Sequence, residues 1–367
     1  MKKHLYPLAC VALLAACQPS ADNGTAVELG ETPAETPAPV EQVAPSPDAR
    51  YSIGFYNVEN LFDTQDDPKT DDAEFLPSNQ ERPWTEERYQ RKLENLAQVI
   101  AQLGDADGPE VLGLCEVENK AVLEALVAQP AIKARGYGIV HTESPDGRGI
   151  DNALIYKQDH FQVTKVTTYT LAFPSDPSYR SRDLLLVEGN LLGQPLAVVV
   201  NHWPSRRGGE RESEPRRIVA AKQARSIVDR LLQADPQAQV VLLGDFNDEP
   251  TNKSLQEVLR AKGDGFDAQA GELFNAMMAL DNAQKGSYKY KDSWNMLDQI
   301  VLSGGLADRA GLAYVPESAT IFGPEWLLQQ TPAQYKGSPL RTFGGRKYLG
   351  GYSDHLPVFV QVQVVGQ

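Results

Sequence analysis

The sequence predicts an α/β domain in which two mixed β-sheets pack together with helices outside. Apolar runs of strand length recur along residues 51–367. Some pair like hairpins (152–169, 183–201), and others are separated by amphipathic helical stretches. That mixture fits neither a purely parallel nor a purely antiparallel sheet. The length suits one large domain or two small ones, and no Pro- or Ser-rich linker divides it. There is no tandem repeat at solenoid spacing.

The elements follow in order. Residues 51–57 alternate well enough for a strand, and a polar, Pro-containing loop covers 63–83. Thr85-Glu86-Glu87 opens a helix whose apolar face is Leu93, Leu96, Ala97 and Ile100. A strand at 111–115 precedes a helix over about 119–127. Strands are expected at 137–142, 152–156, 161–169, 183–190 and 195–201. A long helix at 215–233 buries Ile218, Ala221, Ala224, Ile227, Val228, Leu231 and Leu232. The apolar run 239–243 is a strand ending at Gly244-Asp245, a short helix follows near 252–262, and 297–302 and 356–364 are the last strands.

The N-terminus reads differently. Lys2 and Lys3 precede an apolar stretch too short to span a membrane, which ends in Leu14-Ala15-Ala16-Cys17. Residues 1–17 resemble a bacterial lipoprotein signal. The resemblance implies cleavage before Cys17, lipidation of that residue and, with Gln18 following, an outer-membrane, extracytoplasmic location. Residues 18–50 are rich in Pro, Ala, Glu and Thr and carry no aromatic residue. Such a segment buries too little apolar surface to order itself, so a disordered tether is expected there. Cys115 is then the one cysteine left in the domain, which excludes an internal disulfide. The chain carries 35 Lys and Arg against 49 Asp and Glu, a net charge of −14. That argues against tight nonspecific binding of nucleic acid, though not against catalysis on it.

Polar groups sit at strand ends. Asn57 ends the first strand and Glu116 the second; Asp151-Asn152 and Arg182-Asp183 open others. Asn201-His202-Trp203 closes one, Asp245 and Asn247 follow another, Asp298 begins one, and Asp354-His355 precedes the last. α/β proteins gather ligands along a sheet edge in this way. A hard divalent cation wants carboxylate and amide oxygens, which Asn57, Glu116 and Asp354 offer, with Asp245 and Asn247 as further candidates. No Cys cluster or paired histidines suit zinc. His202, His355 and Arg182 supply groups for a phosphoester: positive charge on its oxygens and a proton for the leaving oxygen. Bland alternatives exist singly. Glu116 also suits a helix N-cap, Asp245 and Asp248 a turn, and Asp298 a surface pair with Lys289 or Lys291.

Nine segments, in order, resemble the endonuclease/exonuclease/phosphatase superfamily. They are Phe55-Tyr-Asn-Val-Glu-Asn-Leu-Phe-Asp63, Trp84-Thr-Glu-Glu-Arg-Tyr-Gln-Arg-Lys92, Gly113-Leu-Cys-Glu-Val-Glu118, Gly149-Ile-Asp-Asn-Ala-Leu-Ile-Tyr156, Ser181-Arg-Asp183, Asn201-His-Trp-Pro-Ser205, Gly244-Asp-Phe-Asn-Asp248, Trp294-Asn-Met-Leu-Asp-Gln-Ile300 and Ser353-Asp-His-Leu-Pro-Val358. Within it, the chain looks like a secreted bacterial nuclease branch. The resemblance implies a four-layer sandwich over 51–367 and hydrolysis of a phosphoester with Mg²⁺, Mn²⁺ as substitute, and one or two ions. It implies Glu116 as the principal metal ligand with Asn57 and Asp354 nearby. Asp245 would activate water, and Asn247 would position it or bind phosphate. Asp298 would fix the ring of His355, which holds phosphate or helps protonation. His202 would bind phosphate or act as acid, and Arg182 would contact non-bridging oxygens.

Substrate is less specified. The loop after His202 holds Arg206, Arg207 and Arg211, candidate nucleic-acid contacts that would order the backbone rather than read bases. A solvated loop explains them equally well. The residues favour a nonspecific nuclease on DNA or RNA. A phosphatase, a sphingomyelinase-like phosphodiesterase or a non-catalytic metal-binding surface protein remain as alternatives.

Overall fold

The structure is a computed structural model that describes residues 24–27, 40–46, 48–104, 107–263, 271–307 and 310–366. Residues 1–17, with Cys17, lie outside the described residues.

In chain order the first strands are β1 (Thr25–Val27), β2 (Tyr51–Leu61), β3 (Val111–Val117), β4 (Tyr137–His141), β5 (Asp151–Lys157), β6 (Phe161–Tyr169), β7 (Leu184–Leu191), β8 (Gln194–His202) and β9 (Val240–Asp245). One sheet runs β1-β6-β7-β8-β9, then Asp298–Ser303, Leu273–Asn275 and Ala261–Lys262. The other runs Gly311–Tyr314, Val358–Val365, β2, β3, β5, β4, with Thr320–Ile321 also paired to Val358–Val365. Each large sheet is mixed. β2 and β3 are parallel across helix α1 (Glu86–Ile100), and β8 and β9 are parallel across helix α3 (Glu210–Ala234).

Period-two patterning builds the layers. Ile53 and Phe55 of β2 and Val111 and Cys115 of β3 face Val198, Val200, Val241 and Leu243 of the opposite sheet. Leu112 and Leu114 point the other way, onto Leu93, Leu96 and Ile100 of α1 and onto helix α2 (Lys120–Val127). On the far side, Val199 and Leu242 pack on Ala220, Ala224, Ile227 and Val228 of α3. The result is four layers: helices, sheet, sheet, helix. Gly113 lets the sheets close, because a Cβ there would stand 2.2 Å from Leu243 Cδ1.

The differences from the sequence expectation have local causes. α3 starts at Glu210, not 215, since Pro215 is tolerated about one turn inside. Two acidic residues, Glu210 and Glu212, favour that N-terminus. The helix expected over 252–262 is one π-helical turn, Ser254–Leu259, because Arg260 turns left-handed at φ 61° and a short strand follows. Within the stretch read as a tether, Thr25–Val27 adds an edge strand to β6, and Val43 N donates to Asp159 O at 2.9 Å. Backbone pairing needs no apolar side chains, so composition did not show it. Among the described residues no helix is long and apolar enough to cross a membrane.

Candidate active site

The site lies at the carboxyl ends of the two parallel strand pairs, β2/β3 and β8/β9. Strand register aligns half of it: His202 of β8 faces Asp245 of β9, and Asp245 faces Asp298. Asn57 Nδ2 of β2 donates to Asp245 Oδ2 at 3.2 Å across the sandwich, which brings the ends of the two sheets together.

Two irregularities in the ladder aim the remaining groups. The register shifts between Asn57 and Leu61 and again between Cys115 and Val117. Glu59, Asn60, Glu116 and Asn247 all take left-handed backbone, with φ of 50°, 56°, 62° and 50°. Side chains other than Gly and Asn pay for that geometry, and it collects at functional sites. Glu116 in the second bulge accepts from Asn60 N at 3.0 Å through Oε2 and turns Oε1 to 4.0 Å from His202 Nε2. The same nitrogen is 3.7 Å from Asp245 Oδ2. The N-cap of α2 is Asn119, which accepts from Val122 N, so Glu116 is free of that structural duty.

His355 enters from the loop before the last strand. Its Nδ1 is 2.6 Å from Asp298 Oδ2, its Nε2 is 4.0 Å from Asp245 Oδ2, and Tyr288 covers the ring at 4.8 Å between centroids. Ser287 donates to Asp298 and also accepts from Asp298 N. Ser353 Oγ ties the loop to Asn57 O at 2.7 Å.

The two histidines have opposite electrostatics. Burial disfavours charge on His202, and Arg182, Arg148 and His355 add to it, so its pKa lies well below the ordinary value. Burial also opposes charge on His355, but Asp298, with Asp245 and Asp354, overcomes it and holds the imidazolium to well above the ordinary value. Burial raises Asp245 to about 7, with Asp298 and Glu116 adding and His355 opposing. Such crowding of buried carboxylates suits a cation. Fit is testable from the donors: Glu116, Asp245, Asn57 and Asp354 present oxygens, and Asp298 Oδ1 is buried without a partner. Asp245, Asp298 and His355 also offer ligand atoms within 4.8 Å of one another.

Asn57, Glu116, His202, Asp245, Asn247, Asp298 and His355 therefore meet in one place. Asn247 N donates to Asp245 Oδ1 at 2.9 Å and Asn247 Nδ2 to Trp203 O at 3.0 Å. Asp354 sits on the rim, 4.0 Å from Arg341 Nη2, and its charge reaches Glu59 and Lys92. The arginines divide by their partners. Arg182 is buried, with Nη1 3.2 Å from Asp146 Oδ2 and Nη2 2.6 Å from Trp203 O, which leaves its guanidinium internal partners. Arg206 donates to Asn247 O at 2.8 Å and to Asn252 Oδ1 at 3.1 Å, so it braces the Asn247 turn. Arg207 and Arg211 are exposed. Asp248 is no simple turn residue: fully buried Arg217 meets it at 2.6 Å, and Ser254 Oγ donates to it at 2.6 Å.

Sequence reading missed Glu59, Lys92, Asp146, Arg148, Ser287 and Tyr288. Lys92 alone left a signal, a cation within the buried face of α1. It donates to Thr342 Oγ1 at 2.8 Å and lies 3.8 Å from Glu59, whose carboxyl burial and Asp354 push up to about 7.

No curated protein sequence matches the chain. Among solved structures, truncated TDP2 from Caenorhabditis elegans superposes with a TM-score of 0.53 at 18% identity, over 85% of this chain and 97% of that one. D. rerio TDP2 complexed with single strand DNA product gives 0.52 at 15% identity, over 86% and 99%. An endonuclease/exonuclease/phosphatase family protein from Bacteroides thetaiotaomicron gives 0.50 at 16%, over 86% and 97%. At these identities the likeness is one of fold. The model of the Endonuclease/Exonuclease/phosphatase family matches residues 52–364, a span that leaves out β1 but includes every side chain of the site. The chain belongs to the endonuclease/exonuclease/phosphatase family.

Proposed function

We propose that this chain is a divalent-cation-dependent phosphodiesterase acting on nucleic acid, DNA first, held outside the cytoplasm by a lipid on Cys17. The observation that carries the catalytic reading is the convergence of two buried histidines on one carboxylate: His202 Nε2 stands 3.7 Å and His355 Nε2 4.0 Å from Asp245 Oδ2. A phosphoester needs both a proton acceptor and positive charge in one cleft.

Glu116, with Asn57 and Asp354 near it, would hold Mg²⁺ or Mn²⁺. The ion, when bound, neutralises charge on the phosphate oxygens. Asp245, flanked by both imidazoles and oriented by Asn57 Nδ2 and Asn247 N, takes the proton of the attacking water. Its raised pKa matches that task near neutrality. His355 presents Nε2–H to a phosphate oxygen while Asp298 fixes its Nδ1. His202 donates one ring N–H hydrogen bond to a phosphate oxygen. Arg182 contributes charge from behind, and half-exposed Arg148, 3.8 Å from Asp146, is better placed to touch the substrate.

DNA is favoured over a small ester by two supports. Arg207 and Arg211 stand exposed on the loop beside His202, on an otherwise acidic protein. A protein of like fold is known in complex with a single-stranded DNA product. Location rests on the leader sequence alone.

The test is incubation of the purified protein with plasmid DNA, single-stranded DNA, RNA, a phosphomonoester and sphingomyelin, each with chelator and with Mg²⁺ or Mn²⁺ restored. Metal-dependent cleavage of DNA that Glu116→Ala and His355→Ala abolish is expected. Intact DNA beside rapid phosphate release from the monoester would replace the nuclease by a phosphatase. Fractionation of cells expressing the chain, with Cys17→Ala for comparison, checks the anchor.

A further inference from the structure

A second cluster of metal-type ligands lies outside the cleft just described. His141 closes β4 and Asp151 opens β5. Their strands are antiparallel neighbours with His141 opposite Ala153, so Asp151 falls on the same face. His141 Nε2 is 3.1 Å from Asp151 Oδ2. Glu143, two residues beyond His141, brings a carboxylate oxygen back, and ligand atoms of all three lie within 4.8 Å of one another.

A histidine–aspartate hydrogen bond would account for two of these residues. It leaves the third unexplained. Asp151 is fully buried, and its other oxygen accepts from Ser144 N at 2.8 Å. Glu143 is an exposed residue that could extend into water. Instead it stands beside a buried carboxylate, and among the described residues no hydrogen bond or ion pair holds it there. Two carboxylates and one imidazole converging from two strand ends and a loop form a donor set for a divalent ion.

We propose that His141, Glu143 and Asp151 form a cation site distinct from the catalytic one, which takes an imidazole-accepting divalent ion, Zn²⁺ or Mn²⁺, in preference to Mg²⁺. Its role is to pin the 142–150 loop. That loop begins and ends at the ligands. At its middle Asp146 binds Arg182 at 3.2 Å and lies 3.8 Å from Arg148, the two arginines whose charges act on His202. The ion would therefore fix where positive charge stands beside the cleft, without touching the substrate.

The experiment uses the full chain stripped of metal and carrying Glu116→Ala, so that the catalytic cation is weakened first. Zn²⁺, Mn²⁺ and Mg²⁺ are titrated separately by calorimetry. Limited proteolysis then reports cleavage within 142–150 with and without each ion. One tight equivalent of Zn²⁺ or Mn²⁺, weak Mg²⁺, and protection of the loop on binding are expected. Adding Glu143→Ala, an exposed change with little cost to folding, should weaken that equivalent at least about tenfold and remove the protection. Binding unchanged by Glu143→Ala, or no Zn²⁺ or Mn²⁺ equivalent in the Glu116→Ala protein, would overturn the proposal. Neither readout depends on turnover of any phosphoester.

Discussion

His355 Nδ1 stands 2.6 Å from Asp298 Oδ2, and this contact sets the two buried histidines apart. Burial, with Arg182, Arg148 and His355, holds the His202 pKa well below the ordinary value, whereas Asp298 holds that of His355 well above it. Asp298→Asn removes the charge that opposes burial. The His355 pKa should then fall towards or below the ordinary value, and turnover should drop by about 10²–10⁴-fold. Imidazole resonances followed across pH measure the first effect. A His355 that still titrates high in this variant would refute the assignment.

Asp245 links pH to stability. Its pKa rises from 3.8 to about 7 in the fold, so the fold favours the protonated form. The stability this group contributes is full below the lower value and is lost as pH rises through the upper one. Glu59 moves in the same direction, from 4.5 to about 7. Metal-free protein should therefore lose stability across that window. Asp245→Asn should flatten the loss and stabilise the metal-free protein above it by on the order of 1 kcal/mol or more, while ending activity. Denaturant unfolding of both proteins at the two ends of the window checks this.

Glu116 sits in its bulge at the cost of a left-handed backbone. Glu116→Ala and Glu116→Gly should both lose most turnover and tight Mg²⁺ binding. They should differ in stability, because only Gly relieves the φ of 62°, by about 1–2 kcal/mol in its favour. Thermal unfolding of the two variants side by side measures the difference; equal stability would mean that the bulge is unstrained.

The arginines separate into two kinds. Arg182→Ala leaves Asp146 buried without its main partner and should destabilise the fold by about 3–5 kcal/mol. Arg207→Ala with Arg211→Ala should leave stability unchanged, weaken DNA binding and lower the salt slope by about one per arginine that contacts phosphate. Binding measured over a range of salt concentrations tests it.

The layered fold was legible because strand-length apolar runs and the stripe of α3 are local signals. Inward and outward residues follow directly from period two, as at Leu112 to Cys115. The cleft was legible only in part. Asn57, Glu116, His202, Asp245 and His355 announce themselves as polar residues beside apolar runs. Asp146, Arg148, Ser287 and Tyr288 do not, because loop residues acquire their partners only when distant segments meet.

What the sequence determined by itself is the pair of mixed sheets, the helices that cover them, and the strand ends on which acidic, amide and imidazole groups sit. Side-chain type and spacing along one chain carry that information. What tertiary structure alone decided is how each group is tuned and which are occupied: His355 paired with Asp298 and raised, His202 lowered, and arginines Arg182 and Arg206 bound to carboxylates and carbonyls within the protein. Burial and the charges of neighbours set these properties, and both depend on residues far apart in the chain.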